Sequence, residues 1–219
     1  VTDLGPNTTG LSGAAQRLLA GASAAAGRGP APVHLWNPPH CGAIDMRIAA
    51  DGSWHYMGSP IGRIAMVKLF ATILRKDSNE FVLVTPVERV AIRVDDAPFV
   101  AVELACEPGT PAERLFVRTS LDDVVELSDD HPIRFETAGD GGLKPYIHVR
   151  GDLWALASRA LTHELIERAR VENLDKPAVL GGEQGVDKGA TRSPRRFLGL
   201  RSGPCFFPIA PADEIEAMA

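Results

Sequence analysis

The sequence predicts an α+β protein built from two related halves, and three observations carry that reading. From Ala43 the apolar residues alternate in period two and run into Asp51-Gly52. From Arg63 they switch to a helical stripe. A train of strand-like runs then fills residues 81–149, and parts of it echo one another.

Each element follows from its local pattern. Residues 1–32 form an Ala/Gly-rich leader whose sizeable apolar groups are Leu11, Leu18 and Leu19. Asp3 and Arg17 argue against a signal peptide, which wants a basic start and a dense apolar centre. A loose Ala-rich helix is expected there. Residues 33–80 are expected to form a hairpin-helix half. Ile44, Met46 and Ile48 alternate with Asp45, Arg47 and Ala49, as in a half-buried strand. Asp51-Gly52 tolerates positive φ and reads as a two-residue hairpin turn, with Trp54 to Gly58 as the return strand. The helix from Arg63 puts Ile64, Met66, Val67, Leu69, Phe70, Ile73 and Leu74 on one face. Lys68, Thr72, Arg75 and Lys76 hold the other.

Residues 81–172 are expected to form a strand-rich half with a final helix. Runs such as Val87 to Val94, Phe99 to Ala105 and Ile133 to Thr137 are separated by turn residues at Asp95-Asp96, Asp129-Asp130 and Gly139 to Gly142. Asp152 is placed to cap the helix, which is expected to reach about Val171 with Leu153, Ala157, Leu161 and Leu165 inward. Residues 173–219 turn to Gly, Pro, Asp and Arg without periodicity. They are expected to be a mostly disordered tail, dispensable for folding.

Two echoes support the halves. At a shift of about 34 positions, Thr85, Val90, Asp95, Asp96 and Pro98 fall on Thr119, Val124, Asp129, Asp130 and Pro132. A shorter echo lays Ile44, Ala49, Asp51 and Gly52 over Ile133, Ala138, Asp140 and Gly141.

Composition excludes whole classes of function. The chain of 219 residues carries a formal net charge of -5, against an electrostatic grip on nucleic acid or anionic membrane. It lacks a membrane-length apolar run. Cys41, Cys106 and Cys205 share no close spacing, so a reducing, cytoplasmic setting is expected rather than a disulfide framework. The six histidines show no metal-ligand spacing. No GxSxG elbow or HExxH appears, and no catalytic residue is assigned. The glycine run 181–189 lacks the Gly-Lys-Ser/Thr ending of a phosphate loop.

A two-residue turn at Asp51-Gly52 would place Trp54 and Tyr56 on one face with Asp45 and Arg47. That surface suits a planar, charged ligand, though the same rings would also pack a domain contact. Arg63, after Gly58-Ser59-Pro60-Ile61-Gly62 and at a helix start, is the leading anion-binding candidate. His148 and Arg150 form a similar pair ahead of the second helix.

The run 34–46, HLWNPPHCGAIDM, resembles the signature of the uncharacterised bacterial family known as domain of unknown function 1285. Gly58 to Arg63, Leu83 to Glu88, Asp95 to Phe99 and Tyr146 to Gly151 continue the match in order, over about residues 33–171. Ala43 departs from the acidic residue expected after Cys-Gly. The resemblance implies an α+β fold with a duplicated core. Its C-terminal half would be a partial barrel closed by a helix, superficially like a pleckstrin-homology domain. It also implies a signalling role, with a nucleotide-like ligand held between the halves.

Taken together, these readings describe a small-ligand-binding regulatory protein. Trp54 and Tyr56 would stack on the ligand, Arg63 and Arg150 would hold its anionic group, and Thr85, Glu88 and His148 would complete the cleft. An enzyme acting on a phosphorylated metabolite, with Glu88 or His148 as acid or base, is one alternative. A protein-interaction module without a small ligand is another.

Overall fold

The structure is a computed structural model that describes residues 31–139, 141–174 and 195–213. The leader helix and the glycine run lie outside the described residues. Two compact units emerge, one comprising Val1–Pro98 with Gly151–Leu153, the other Phe99–Arg150 with Trp154–Ala219. The boundary therefore falls at Pro98 and not near residue 80. The strands of 80–94 belong with the first unit because they complete its sheet.

The first unit orders β1 (His40–Ile48), β2 (Trp54–Tyr56), β3 (Ser59–Pro60), α1 (Ile64–Thr72), β4 (Leu74–Asp77), β5 (Glu80–Val84) and β6 (Arg89–Val94). Its six-stranded sheet runs β3-β2-β1-β6-β5-β4. Two antiparallel meanders are joined by the parallel pair β1–β6. Met46, Ile48, Phe70, Ile73, Val82 and Leu83 form its core.

The helix stops at Thr72, short of the Leu74 to Lys76 that its stripe suggested. Those residues become β4, paired with β5 from Leu74↔Leu83 to Asp77↔Glu80. Local charge fastens the strand. Asp77 accepts from Arg75 Nε at 2.6 Å and from Arg89 Nη1 at 2.9 Å. The hydrogen bonds from Arg75, with help from Arg89, hold its carboxyl below the ordinary carboxylate range. Arg75 also donates to the carbonyls of Val33 and Trp36 at 2.6 and 2.7 Å, tying the entering chain to β4.

The second unit contains β7 (Phe99–Glu107), β8 (Arg114–Thr119), β9 (Val124–Glu126), β10 (Ile133–Thr137), β11 (Leu143–Arg150), β12 (Leu153–Ala157) and α2 (Arg159–Arg168). Then come β13 (Arg170–Leu174), β14 (Arg195–Ser202) and β15 (Cys205–Pro211). Its larger sheet, β10-β11-β12-β7-β8-β9, again joins two meanders through one parallel pair, β7 with β12. The two sheets thus share one strand order, and β7 takes the place that β1 holds.

Asp152 does not cap a helix. It lies exposed in the β11–β12 turn, next to Gly151 at φ 51°. Leu153, Ala155 and Ala157 are buried in alternation, so this stretch obeys period two. Ser158 is the true N-cap, its Oγ accepting from Leu161 N at 3.2 Å. The helix ends at Arg168, ahead of β13.

The disordered-tail expectation fails for residues 195–211, which make β14 and β15 of a three-stranded sheet with β13. Phe197, Leu200 and Phe207 are buried there. Each is worth about 1.5–3 kcal/mol on burial, enough to order a segment of low sequence periodicity. Among the described residues no helix is long and apolar enough to cross a membrane.

Candidate functional site

The first hairpin decides the fate of the sequence-predicted rings. Its strands pair as Met46↔Tyr56, Arg47↔His55 and Ile48↔Trp54. A two-residue turn would have placed Trp54 opposite Ala49. Instead Gly52 N donates to Ala49 O, Ala49 N donates to Ser53 O, both at 2.9 Å, and Gly52 sits at φ 82°. This is a three-residue loop ending in a left-handed glycine. The extra residue flips the return strand's faces. Trp54 and Tyr56 therefore lie in the core at 2% and 7% exposure, with Trp54 stacked on Phe70 at 6.2 Å. Arg47 stays outside and grips Asp95, with Nε donating to both carboxylate oxygens at 3.0 and 2.8 Å. Neither ring can stack on a ligand without unpacking the core.

Arg63 fares differently. It is the exposed residue just before α1, in extended conformation, and its side chain does not cap the helix. Thr85 is fully buried, and its Oγ1 accepts from Val87 N at 3.4 Å and Glu88 N at 3.2 Å. Thr85 N donates back to Glu88 O at 2.9 Å, so this pair closes the β5–β6 turn and Glu88 is buried with it. Thr119, its partner in the longer echo, does the same after β8. It too is fully buried, and its Oγ1 accepts from Leu121 N and Asp123 N at 3.3 and 3.1 Å. The echo marks a shared turn.

His148 and Arg150 belong to the second unit. The His148 ring stacks on His131 at 5.6 Å and meets Trp154 edge-on at 5.2 Å. His148 Nδ1–H donates to Asp130 O at 3.0 Å, and His131 Nδ1–H donates to His148 O at 3.2 Å. A carbonyl only accepts, so each Nδ1 carries the hydrogen. Arg150 donates to Asp123 at 2.9 Å and covers the Phe99 ring at 4.9 Å. Both side chains are built into local packing.

A different group of residues shapes a pocket of about 200 Å3 in the second unit: Ala112, Glu113, Leu115, Arg168, Arg170 and Arg201. Its geometry begins in the β14–β15 turn. Ser202, buried at 1% exposure, accepts from Leu115 N at 3.0 Å, and Gly203 N donates to Glu113 O at 2.9 Å. These bonds bring Arg201 beside the start of β8. Arg201 is spoken for: its Nε donates to Glu172 at 2.8 and 3.1 Å and its Nη1 to Pro204 O at 3.2 Å. The guanidinium in turn holds the Glu172 carboxyl below its ordinary range.

Arg170 Nη1 donates to Glu167 O and Ala169 O at 2.9 and 2.8 Å, satisfying carbonyls at the end of α2. Among the described residues Arg168 has only long ion pairs, 3.6 Å to Glu113 and 3.7 Å to Glu164. Exposed pairs at such distances are worth about 0–1 kcal/mol. An incoming anion can displace them. This site is not legible in the sequence, because Arg201 lies in a segment without hydrophobic periodicity. The available signal was the Arg168/Arg170 pair at a helix end, which alone says little.

Comparison with known proteins places the chain. Residues 31–97 match the N-terminal domain, and residues 98–184 the C-terminal domain, of a domain of unknown function, DUF1285. The chain belongs to the DUF1285 family. A crystal structure of a DUF1285 family protein from Silicibacter pomeroyi DSS-3 is similar at 42% identity and TM-score 0.74, over 91% of this chain and 97% of that one. Another, from Shewanella baltica OS155, is 30% identical with TM-score 0.45, over 56% of this chain and 90% of that one. No curated protein matches. The DUF1285 domains meet between residues 97 and 98, within one residue of the division between the two compact units after Pro98. Glu113, Arg168 and Arg170 lie within the C-terminal DUF1285 match, and Arg201 lies beyond it.

Proposed function

We propose that this DUF1285 protein is a small-ligand-binding, regulatory protein. Its second unit takes the phosphoryl group of a nucleotide-like or other phosphorylated ligand. The observation that carries this is the convergence of Arg168 and Arg170 on one pocket, with Leu115 and Ala112 as an apolar floor and Arg201 as a braced wall. Ligand pockets commonly enclose about 300–1,000 Å3, so about 200 Å3 suits an anionic head group with the rest of the ligand outside. Guanidinium forks suit phosphoryl oxygens geometrically. Six strands followed by a helix in this unit support the pleckstrin-homology-like reading, and three free thiols support a reducing, cytoplasmic setting.

Calorimetric titration at low salt against a panel of nucleotides and phosphorylated metabolites tests the proposal. The double variant Arg168→Ala/Arg170→Ala should weaken binding roughly 10-fold or more, since one charge-assisted hydrogen bond is worth about 1.5–3 kcal/mol. Arg63→Ala should leave it unchanged. Loss of binding on Arg63→Ala instead would move the site to the start of α1. An absence of binding to the whole panel at millimolar concentration would end the proposal.

A further inference from the structure

We infer that Glu113 is the specificity-determining residue of the arginine pocket, selecting an anion that carries a hydrogen it can donate. This rests on the phosphoryl-binding reading above. Glu113 lines the pocket beside Arg168, its Oε2 3.6 Å from Arg168 Nη1. Its backbone is pinned by Gly203 N, so the side chain leaves from a fixed point.

An ionised carboxylate only accepts hydrogen bonds. An anion drawn in by Arg168 and Arg170 therefore meets an acceptor on the third side. Inorganic phosphate at neutral pH, or a phosphate monoester below about pH 6, keeps a P–O–H that donates to Glu113 and satisfies all three residues. Sulfate has the same tetrahedral shape but no hydrogen at neutral pH, so its oxygens oppose the Glu113 carboxylate. Discrimination then comes from a repulsive element added to an attractive one. The Glu113 side chain is 63% exposed, so solvent screening limits the effect to about 5- to 10-fold.

The same logic gives a pH signature. A phosphate monoester loses its last hydrogen near pH 6, after which it has nothing to donate. Its affinity for the unaltered protein should therefore fall as pH rises through that value. In Glu113→Gln the amide donates as well as accepts, so the more highly charged form should bind at least as well and the fall should vanish.

The test uses the full chain with inorganic phosphate and sulfate at pH 7 and low salt, followed by calorimetry. The unaltered protein should prefer phosphate about 5-fold or more. Glu113→Gln, a near-isosteric change at an exposed side chain, should bring the ratio within about 2-fold, chiefly by tightening sulfate. Equal affinity of the unaltered protein for both anions, or an unchanged ratio in Glu113→Gln, overturns the role of Glu113 while leaving the pocket a phosphoryl site. Failure of both anions to bind either protein overturns the phosphoryl reading and this inference with it.

Discussion

The β1–β2 and β10–β11 hairpins turn through the same loop and bury their rings on opposite faces of the return strand. In the first, Ala49 N donates to Ser53 O and Gly52 N to Ala49 O, both at 2.9 Å. In the second, Ala138 N donates to Gly142 O at 2.7 Å and Gly141 N to Ala138 O at 2.9 Å. Gly52 and Gly141 both sit at φ 82°. The loop fixes which alternate residues turn inward. Trp54 and Tyr56 occupy the inward places in the first hairpin, where Leu143 and Pro145 stand in the second. Tyr146, one place further on, points to the opposite face of its strand, yet at 6% exposure it is as buried as Tyr56, with Arg134 and Lys144 lying over its ring at 5.1 and 5.4 Å. Aromatic residues beside a hairpin thus say nothing of a ligand until the loop's residue count is known. The strands themselves are not equivalent, since β1 is central in its sheet and β10 is at an edge.

The largest expected effect follows from that parity. Trp54→Ala should cost about 3–5 kcal/mol by urea unfolding, as for a buried aromatic ring removed from a packed core. His55→Ala, at the neighbouring outward place where Nε2 meets Ser53 Oγ at 3.0 Å, should cost about 1 kcal/mol or less. Equal losses at the two positions would break the assigned register.

Of intermediate size is the loop glycine. Gly52→Ala and Gly141→Ala should each cost about 1–2 kcal/mol, because an L-residue is strained at this φ. Among the described residues no atom beyond its chain neighbours stands within 4 Å of a Cβ placed on Gly141, so there the cost is chiefly backbone strain. If only one of the pair destabilises in thermal melts, the two loops are not the same device.

The smallest effect belongs to Asp51. Its carboxylate accepts from Ser53 Oγ at 2.6 Å and Ser53 N at 2.9 Å, and these bonds hold its pKa below the ordinary value. A depressed folded-state pKa stabilises the protein above the unfolded value, about pH 4, and the contribution disappears as pH falls through the folded value. Asp51→Ala should therefore lower the urea midpoint slightly at pH 7, with the gap narrowing below pH 4. A gap that widens on acidification would show that the Ser53 bonds are not what the charge supports.

Much of the fold was legible in the sequence. Alternation located β1, the helical stripe located α1, and the Thr and Asp-Gly echoes marked turns that do recur. The family resemblance was legible from residues 34–46 onward. Less of the candidate site was legible. Thr85 and Glu88 read as cleft residues because polar side chains in a turn look alike whether they bind a ligand or their own backbone.

Local sequence determined which residues alternate and where the chain can reverse, because those depend on φ and ψ preferences within a few residues. Tertiary structure decided everything that turned on a small local margin. Ala50, as the first residue of a three-residue loop, reversed the faces of Trp54 and Tyr56. Leu74–Asp77 left the helix because burial beside Leu83 and the Arg75–Asp77–Arg89 pairing outweigh helix propensities of about 0.7 kcal/mol per residue or less. Arg168, Arg170 and Arg201 came together because β13 pairs with β14, Arg170 opposite Gly199, and because Ser202 and Gly203 bind the backbone of Leu115 and Glu113 at the start of β8. No short window of sequence contains those contacts.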